Sequence, residues 1–159
     1  MSTKRAPKAE QALLEVVDAR LRQLTTAIDG LDQRAARRLG VNRTDLRLLD
    51  LLAQSGPLSL AQLGRAQGIS SGGMTVAIDR LTLAGYVRRR PHGLDRRSQL
   101  VELTPHFWSR AEPILGALQE RLMQLLRGYS QAQLWELAQF LLSWQEAIAE
   151  SGTASPSPR

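Results

Sequence analysis

The sequence predicts a mainly α chain with a small β-hairpin, and three observations carry that expectation. Residues 57–104 hold two short apolar-striped segments separated by Gly68-Ile69-Ser70, and an arginine-crowded run with turn chemistry follows them. The stretches on either side repeat leucine, valine and isoleucine every three and four residues, the period of helices that pack against other helices. A length of 159 residues with 43% hydrophobic content supports one domain of ordinary size, expected over residues 10–150, and leaves no room for a separate catalytic domain.

Residues 1–9 form a basic arm, expected to be disordered, which is either a plain tail or a source of nonspecific phosphate contacts. The start MSTKRAPKAE lacks an apolar core, so it does not read as a secretory signal, and a cytoplasmic location is expected. From Glu10 to Leu39 the seam Leu14, Val17, Leu21, Leu24, Ile28 and Leu31 predicts a long helix, closed by Gly40. Thr44 to Gln54 predicts a shorter helix capped by Thr44, whose Leu46, Leu48, Leu49, Leu51 and Leu52 cover a wide apolar arc and mark it as central. Ser55-Gly56 ends it, and Pro57-Leu58 suits a brief third strand beside the hairpin.

The first helix of the central unit begins at Ser59, whose hydroxyl can accept from the free N–H groups of the next turn, and Leu60, Leu63 and Ala66 give it one apolar stripe. Gly68 ends it in a left-handed conformation, with Ile69 at the corner. The second helix starts at Ser70 or Ser71 and runs to Ala84, with Met74, Ile78 and Leu81 inward. A helix-turn-helix fits that shape. The outer face offers Ser71, Gly72, Thr75, Val76, Asp79 and Arg80. Gly72 and Gly73 weaken a first turn by about 0.5–1 kcal/mol each relative to alanine. Either they extend the turn, or they let backbone N–H groups approach another surface such as a phosphate.

Gly85 stops that helix; Tyr86 to Arg90 suits a strand, Pro91, Gly93 and Asp95 supply a turn, and Ser98 to Leu103 returns as the second strand. Five arginines lie between Arg88 and Arg97, with one acid, Asp95, and one histidine, His92, a local charge of +4. The run is either a solvated face or a set of cations for DNA, with Arg88, Arg90, His92, Arg96 and Arg97 as candidate contacts. Asp95 and Arg97 can pair across the tip and hold that arginine extended.

The run GISSGGMTVAIDRLTLAGYVRRR, followed by HGLDRRSQLVELT with the spacing from Asp95 to Thr104, resembles the recognition helix and wing of the MarR family, the multiple antibiotic resistance regulators. The likeness covers the central third closely and the flanking helices by arrangement and length. It implies a winged helix-turn-helix, over residues 44–104, in an obligate homodimer, usually a repressor, whose recognition helices enter successive major grooves while the wings reach the adjacent minor grooves. Carried over by position, the DNA-facing residues are Ser70, Ser71, Thr75, Val76 and Arg80 on the helix and Arg96 and Arg97 on the wing. The resemblance also implies a crevice for a small aromatic or phenolic ligand, here lined by Leu46, Asp50, His106 and Trp108; Trp108 as a plain core residue is the alternative. Relatives often have a glycine where this chain has Pro105-His106-Phe107-Trp108.

After Thr104, a cap with Pro105 behind it, Ile114 or Leu115, Leu118, Leu122 and Leu125 predict a helix to about Arg127. Pro113 inside it predicts a kink or a late start near Arg110. Gly128 breaks the chain, Ser130 caps a last helix, and Leu134, Leu137, Leu141, Trp144 and Ile148 repeat the heptad spacing. A single chain leaves these seams uncovered. The expected architecture is therefore a winged helix-turn-helix flanked by N- and C-terminal dimerisation helices, residues 10–39 and 105–150, with Leu14, Val17, Leu21, Leu24, Leu134, Leu137, Leu141 and Trp144 at a homodimer interface. Residues 151–159, small and polar, are expected to be a disordered tail.

A net charge of +6 favours a polyanion, and double-stranded DNA is the expected partner. A membrane is not: no apolar run approaches the roughly 18–20 residues needed to span one. The absence of cysteine removes disulfides, thiolate metal sites and thiol sensing. His92 and His106 have no metal-ligand spacing, and GISSGG lacks the lysine of a phosphate-binding loop, so no metal, no cofactor and no enzyme is expected. The leading reading is a sequence-specific, ligand-responsive regulator. A winged-helix protein for assembly or nonspecific DNA coating is the alternative.

Overall fold

The computed structural model describes residues 8–91 and 99–153. Along them run α1 (Lys8–Leu39), α2 (Arg43–Ser55), β1 (Leu58–Ser59), α3 (Leu60–Gln67), α4 (Ser71–Leu83), β2 (Val87–Pro91), β3 (Gln99–Leu103), α5 (Pro105–Leu126) and α6 (Gln131–Thr153). Contacts divide the chain into two units, Met1–Ile114 and Leu115–Arg159, where the sequence suggested one domain over 10–150.

In the first unit the caps do the local work. Ser59 Oγ accepts from Gln62 N, and the Gln62 side chain returns a bond to Ser59 N, a capping box that starts α3. Gly68, at φ 63°, ends α3 in the left-handed region that a side chain resists. Ser70 Oγ then accepts from Gly73 N and opens α4. The cap of α2 is Asn42 rather than Thr44, with Asn42 Oδ1 accepting from Asp45 N at 2.8 Å. That shift of two residues makes Asp45 the third residue of α2 rather than the first, still within the first turn, where the helix dipole favours an acid.

The core is built by α2, α3, α4 and the sheet. Leu48, Leu49, Leu63, Met74, Ile78, Leu81 and Val101 have no exposed surface, and Phe107 has almost none. The sheet runs β1-β3-β2, all antiparallel. The brief third strand suggested at Pro57-Leu58 is β1, where Leu58 faces Val101 and Ser59 faces Leu100. Tyr86 is buried and donates its hydroxyl to the Leu39 carbonyl at 2.8 Å, satisfying the C-terminal end of α1. Thr104 Oγ1 donates to Gly85 O at 2.6 Å and accepts from Phe107 N, so one side chain locks the end of the α4 turn to the start of α5.

Three boundaries differ from the sequence reading. Helix α1 starts at Lys8, where lysine and alanine extend a helix beyond the seam that requires it, and α6 ends at Thr153, past the 147–150 stretch that favours a helix and through Ser151 and Gly152, which do not. Helix α5 starts at Pro105, not near Arg110, and passes through Pro113 as one helix. Proline removes the bond to the carbonyl of Ser109; that residue is exposed, so solvent can replace the bond. Pro105 occupies the first helical position, where its missing N–H costs no intrahelical bond.

The second unit comprises the C-terminal part of α5 and α6. Ser130 and Gln133 exchange side-chain bonds with each other's backbone N–H at 3.3 and 2.9 Å and cap α6. Trp135, Phe140, Leu141, Trp144 and Ile148 are all exposed on it.

Asp50 of α2 is half-buried, and burial first, then the charge of Asp32 on α1, raises its carboxyl above the ordinary value. The folded chain therefore holds this proton more tightly than the unfolded one. Its contribution to stability is full below a pH of about 4 and is lost as pH rises through the raised value. Asp50→Asn is expected to raise the thermal midpoint at neutral pH, with an advantage that shrinks on acidification to about pH 4; a lower midpoint at neutral pH would show that the ionised carboxylate is doing structural work.

Candidate nucleic-acid interface

The outer face of α4 carries Ser71, Gly72, Thr75, Val76, Asp79 and Arg80, all exposed, with the cap Ser70 exposed just before them. Inward positions Met74, Ala77, Ile78 and Leu81 are buried at the alternate spacing. Val76 is 61% exposed, an apolar side chain held out to solvent on an otherwise short, polar face. Such a face fits a major groove, where small side chains permit close approach and a methyl-bearing side chain can meet a thymine methyl.

The two glycines separate. Both lie in the first turn of α4 rather than in the preceding turn. A Cβ on Gly73 would stand 3.2 Å from Ile69 Cγ2 and 3.3 Å from Ser70 Oγ, so internal packing explains that glycine. A Cβ on Gly72 would meet nothing within 4 Å. Gly72 therefore lowers helix stability without relieving an internal clash, which is compatible with the close approach of an external surface.

Arg80 is not a free cation. Its Nε donates to Asp45 Oδ2 at 2.6 Å and its Nη2 to Oδ1 at 2.5 Å, while Asp45 has no exposed surface and the Arg80 side chain is 47% exposed. Removing Arg80 would leave the Asp45 carboxylate buried and uncompensated, at a cost below the roughly 3–5 kcal/mol of a fully buried pair because solvent reaches the arginine side. The arginine is thus tied to α2 at one edge and open to solvent at the rest.

The stem of the wing is similarly compensated. On β2, Val87 and Arg89 share the face toward the helices, and Arg88 and Arg90 share the other. Arg89 Nη2 donates to Asp79 Oδ1 of α4 at 2.7 Å. Arg88 and Arg90 both reach Glu102 on β3, each Nε 2.7 Å from a different carboxylate oxygen. The hydrogen bond from Arg88, more than any other influence, holds the Glu102 carboxyl below its ordinary value, so this pairing persists into acid. Arg88 and Arg90, suggested by sequence as DNA contacts, therefore share one carboxylate while staying about half exposed or more. His92, Asp95, Arg96 and Arg97 lie outside the described residues.

Of the residues proposed to line a ligand crevice, Leu46 is only 4% exposed and belongs to the core, packed there by the same apolar arc that holds Leu48 and Leu49. His106 stacks on Tyr86, with ring centroids 5.6 Å apart, and Trp108 packs edge-on to Phe107 at 5.1 Å. Trp108 is 51% exposed, so it is not a plain core residue. An open groove of about 600 Å³ lies elsewhere, between α3 and the start of α4, lined by Leu60, Gly64, Ile69 and Thr75 among others. Among the described residues no cluster of histidine, aspartate and glutamate could hold a metal, and no helix is long and apolar enough to cross a membrane.

Sequence reasoning missed the compensating acids, Asp45, Asp79 and Glu102. A signal existed for Asp45: it lies three and four residues before Leu48 and Leu49, on the same stripe, and a carboxylate on a buried stripe requires a cation. Gly72→Ala is expected to stabilise the fold by about 0.5–1 kcal/mol and yet to weaken binding to duplex DNA; stabilisation with unchanged binding would remove the close-approach account of that glycine.

Comparison with known proteins agrees with this geometry. The sequence profile of the MarR family matches residues 39–98, which span α2 to the wing. YcgE of Bacillus subtilis (strain 168), an uncharacterized HTH-type transcriptional regulator, is 34% identical over 113 residues, covering 71% of this chain and 73% of the relative. The fold is similar to transcriptional regulator Tm0710 from Thermotoga maritima (TM-score 0.61, 16% identity, 89% and 99% of the two chains). It is equally similar to RV1404 from Mycobacterium tuberculosis (TM-score 0.60, 20% identity, 92% and 97%). With a winged helix-turn-helix whose outer helix face is short and polar, the chain belongs to the MarR family of DNA-binding transcriptional regulators.

Proposed function

We propose that this regulator is a homodimeric, cytoplasmic repressor that binds a near-palindromic operator and is released by a small aromatic or phenolic ligand. The observation that carries the reading is the outer face of α4, where Ser71, Gly72, Thr75 and Val76 are exposed and a side chain at Gly72 would meet nothing of the chain itself. A face of this kind reads bases rather than only phosphates, with Ser70 and the first-turn N–H groups at the backbone.

Support for the dimer comes from the seams. Leu14, Val17 and Leu24 on α1, and Leu137, Leu141 and Trp144 on α6, are between 37% and 55% exposed in the single chain; Leu21 and Leu134 are partly covered. Apolar rows of this length are covered economically by a second copy. A two-fold pair with recognition helices about 34 Å apart reaches successive major grooves, which makes the operator a near-palindrome. A ligand then acts by favouring a different spacing, through its differential affinity for the two arrangements. The exposed His106, stacked on Tyr86, and the exposed Trp108, edge-on to Phe107, are the aromatic surface such a ligand would meet, beside Asp50 and Leu46.

The test is binding of the purified chain to the duplex upstream of its own gene and to a scrambled duplex of equal length, at about 150 mM salt, where phosphate contacts are weakened. A preference of about a thousandfold or more, with two chains per duplex, is expected. Equal binding to both would move the protein to the nonspecific coating or assembly class.

A further inference from the structure

The geometry points to Arg80 as the reader of one guanine in each operator half-site, with Asp45 as the buried positioning residue that aims it. This rests on the operator reading above and adds to it a base, an edge of the guanidinium and a second residue on a different helix.

A guanidinium has five N–H donors on a rigid plane. The Asp45 carboxylate takes Nε and one hydrogen of Nη2 in a two-point fork. Neither Nη1 hydrogen, nor the second on Nη2, has a partner among the described residues. The end edge, Nη1 with Nη2, is therefore left open, and it matches the paired O6 and N7 acceptors that guanine presents in the major groove. Two features make the aim firm. Asp45 has no exposed surface, so the fork cannot be traded for water, and its backbone is fixed by the Asn42 cap at 2.8 Å. Arg80 shares the outer face of α4 with Thr75 and Val76, about one turn further on, so its open edge falls beside the bases that those residues address.

Adenine offers a donor where guanine offers O6, and the minor groove lacks the pattern, so an arginine held in this way discriminates. A lysine would keep a charge near Asp45, but it is a point charge and cannot fill the fork and the base at once.

The experiment selects duplexes from a random-sequence pool with the full-length chain and with Arg80→Lys, Arg80→Ala and Asp45→Asn, then measures affinity for the selected site and for its single base-pair variants. A thermal melt of each protein establishes folding. Wild type is expected to demand guanine at one position per half-site. Arg80→Lys and Arg80→Ala are expected to accept any base there, to keep the rest of the motif, and to lose about 10- to 100-fold in affinity for the guanine site. A folded Asp45→Asn should relax the same position alone. If it does not fold, Arg80→Lys carries the test, since that substitution keeps a cation beside Asp45. Replacing the guanine by 7-deazaguanine should cost wild type affinity and leave Arg80→Ala unchanged. An Arg80→Ala protein that selects the unaltered motif, or loses affinity equally for every duplex as a phosphate contact would, overturns the inference while the operator reading stands. A wild-type chain that enriches no motif overturns both.

Discussion

A carboxylate with no exposed surface requires a cation, and in this chain the cation comes from α4, the helix proposed to face DNA. Asp45 sits in the first turn of α2 on the stripe that builds the core, and Arg80 crosses from α4 to meet both of its oxygens. The dependence is one-sided: without Arg80 the Asp45 carboxylate is left buried and uncompensated, whereas Arg80 keeps solvent on about half of its side chain. It follows that the position of α4 against α2 is set by an ion pair as well as by Met74, Ile78 and Leu81. The outer face of α4 is thereby coupled to the core of the winged helix.

The neighbouring residue repeats the device on the other side. Asp79 accepts from Arg89 of β2, which ties the recognition helix to the wing. An exposed pair of this kind adds only about 0–1 kcal/mol to stability. Its use is geometric and electrostatic: it fixes the stem of the wing against α4 and cancels an acid on a face that must approach phosphates. With Arg88 and Arg90 sharing Glu102 and Arg89 on Asp79, three arginines of the stem meet two acids, which leaves one net positive charge. The basic character of the whole chain therefore overstates how many cations are free to meet DNA at this site.

Much of the fold was legible because its punctuation is chemical. Ser59, Gly68, Ser70, Gly85 and Thr104 each act where their side chain or lack of one predicts, and the apolar periods gave the helices between them. Period fixes where a helix must be, not where it stops, so α1 and α6 run beyond their seams and α5 absorbs Pro113. The short polar face of α4 was legible for the same reason as its buried face. What was not legible was pairing across elements. Asp45 and Arg80 are 35 residues apart in the chain, and Arg88 and Glu102 are 14 apart, so their meeting depends on register and packing that no local pattern records. Leu46 shows where the two readings part: resemblance suggested a crevice wall, while its own helical stripe placed it in the core, where it is buried.

The most direct measurement of the central claim is a double-mutant cycle on Asp45→Asn and Arg80→Gln, read by denaturant unfolding of the two single variants, the double variant and the parent. If the fork between α2 and α4 organises the recognition helix, each single change is destabilising and the double change costs less than their sum, with a coupling energy of about 1–3 kcal/mol. Additive effects, or a coupling near zero, would mean that the two charges do not depend on each other and that α4 is placed by its apolar residues alone.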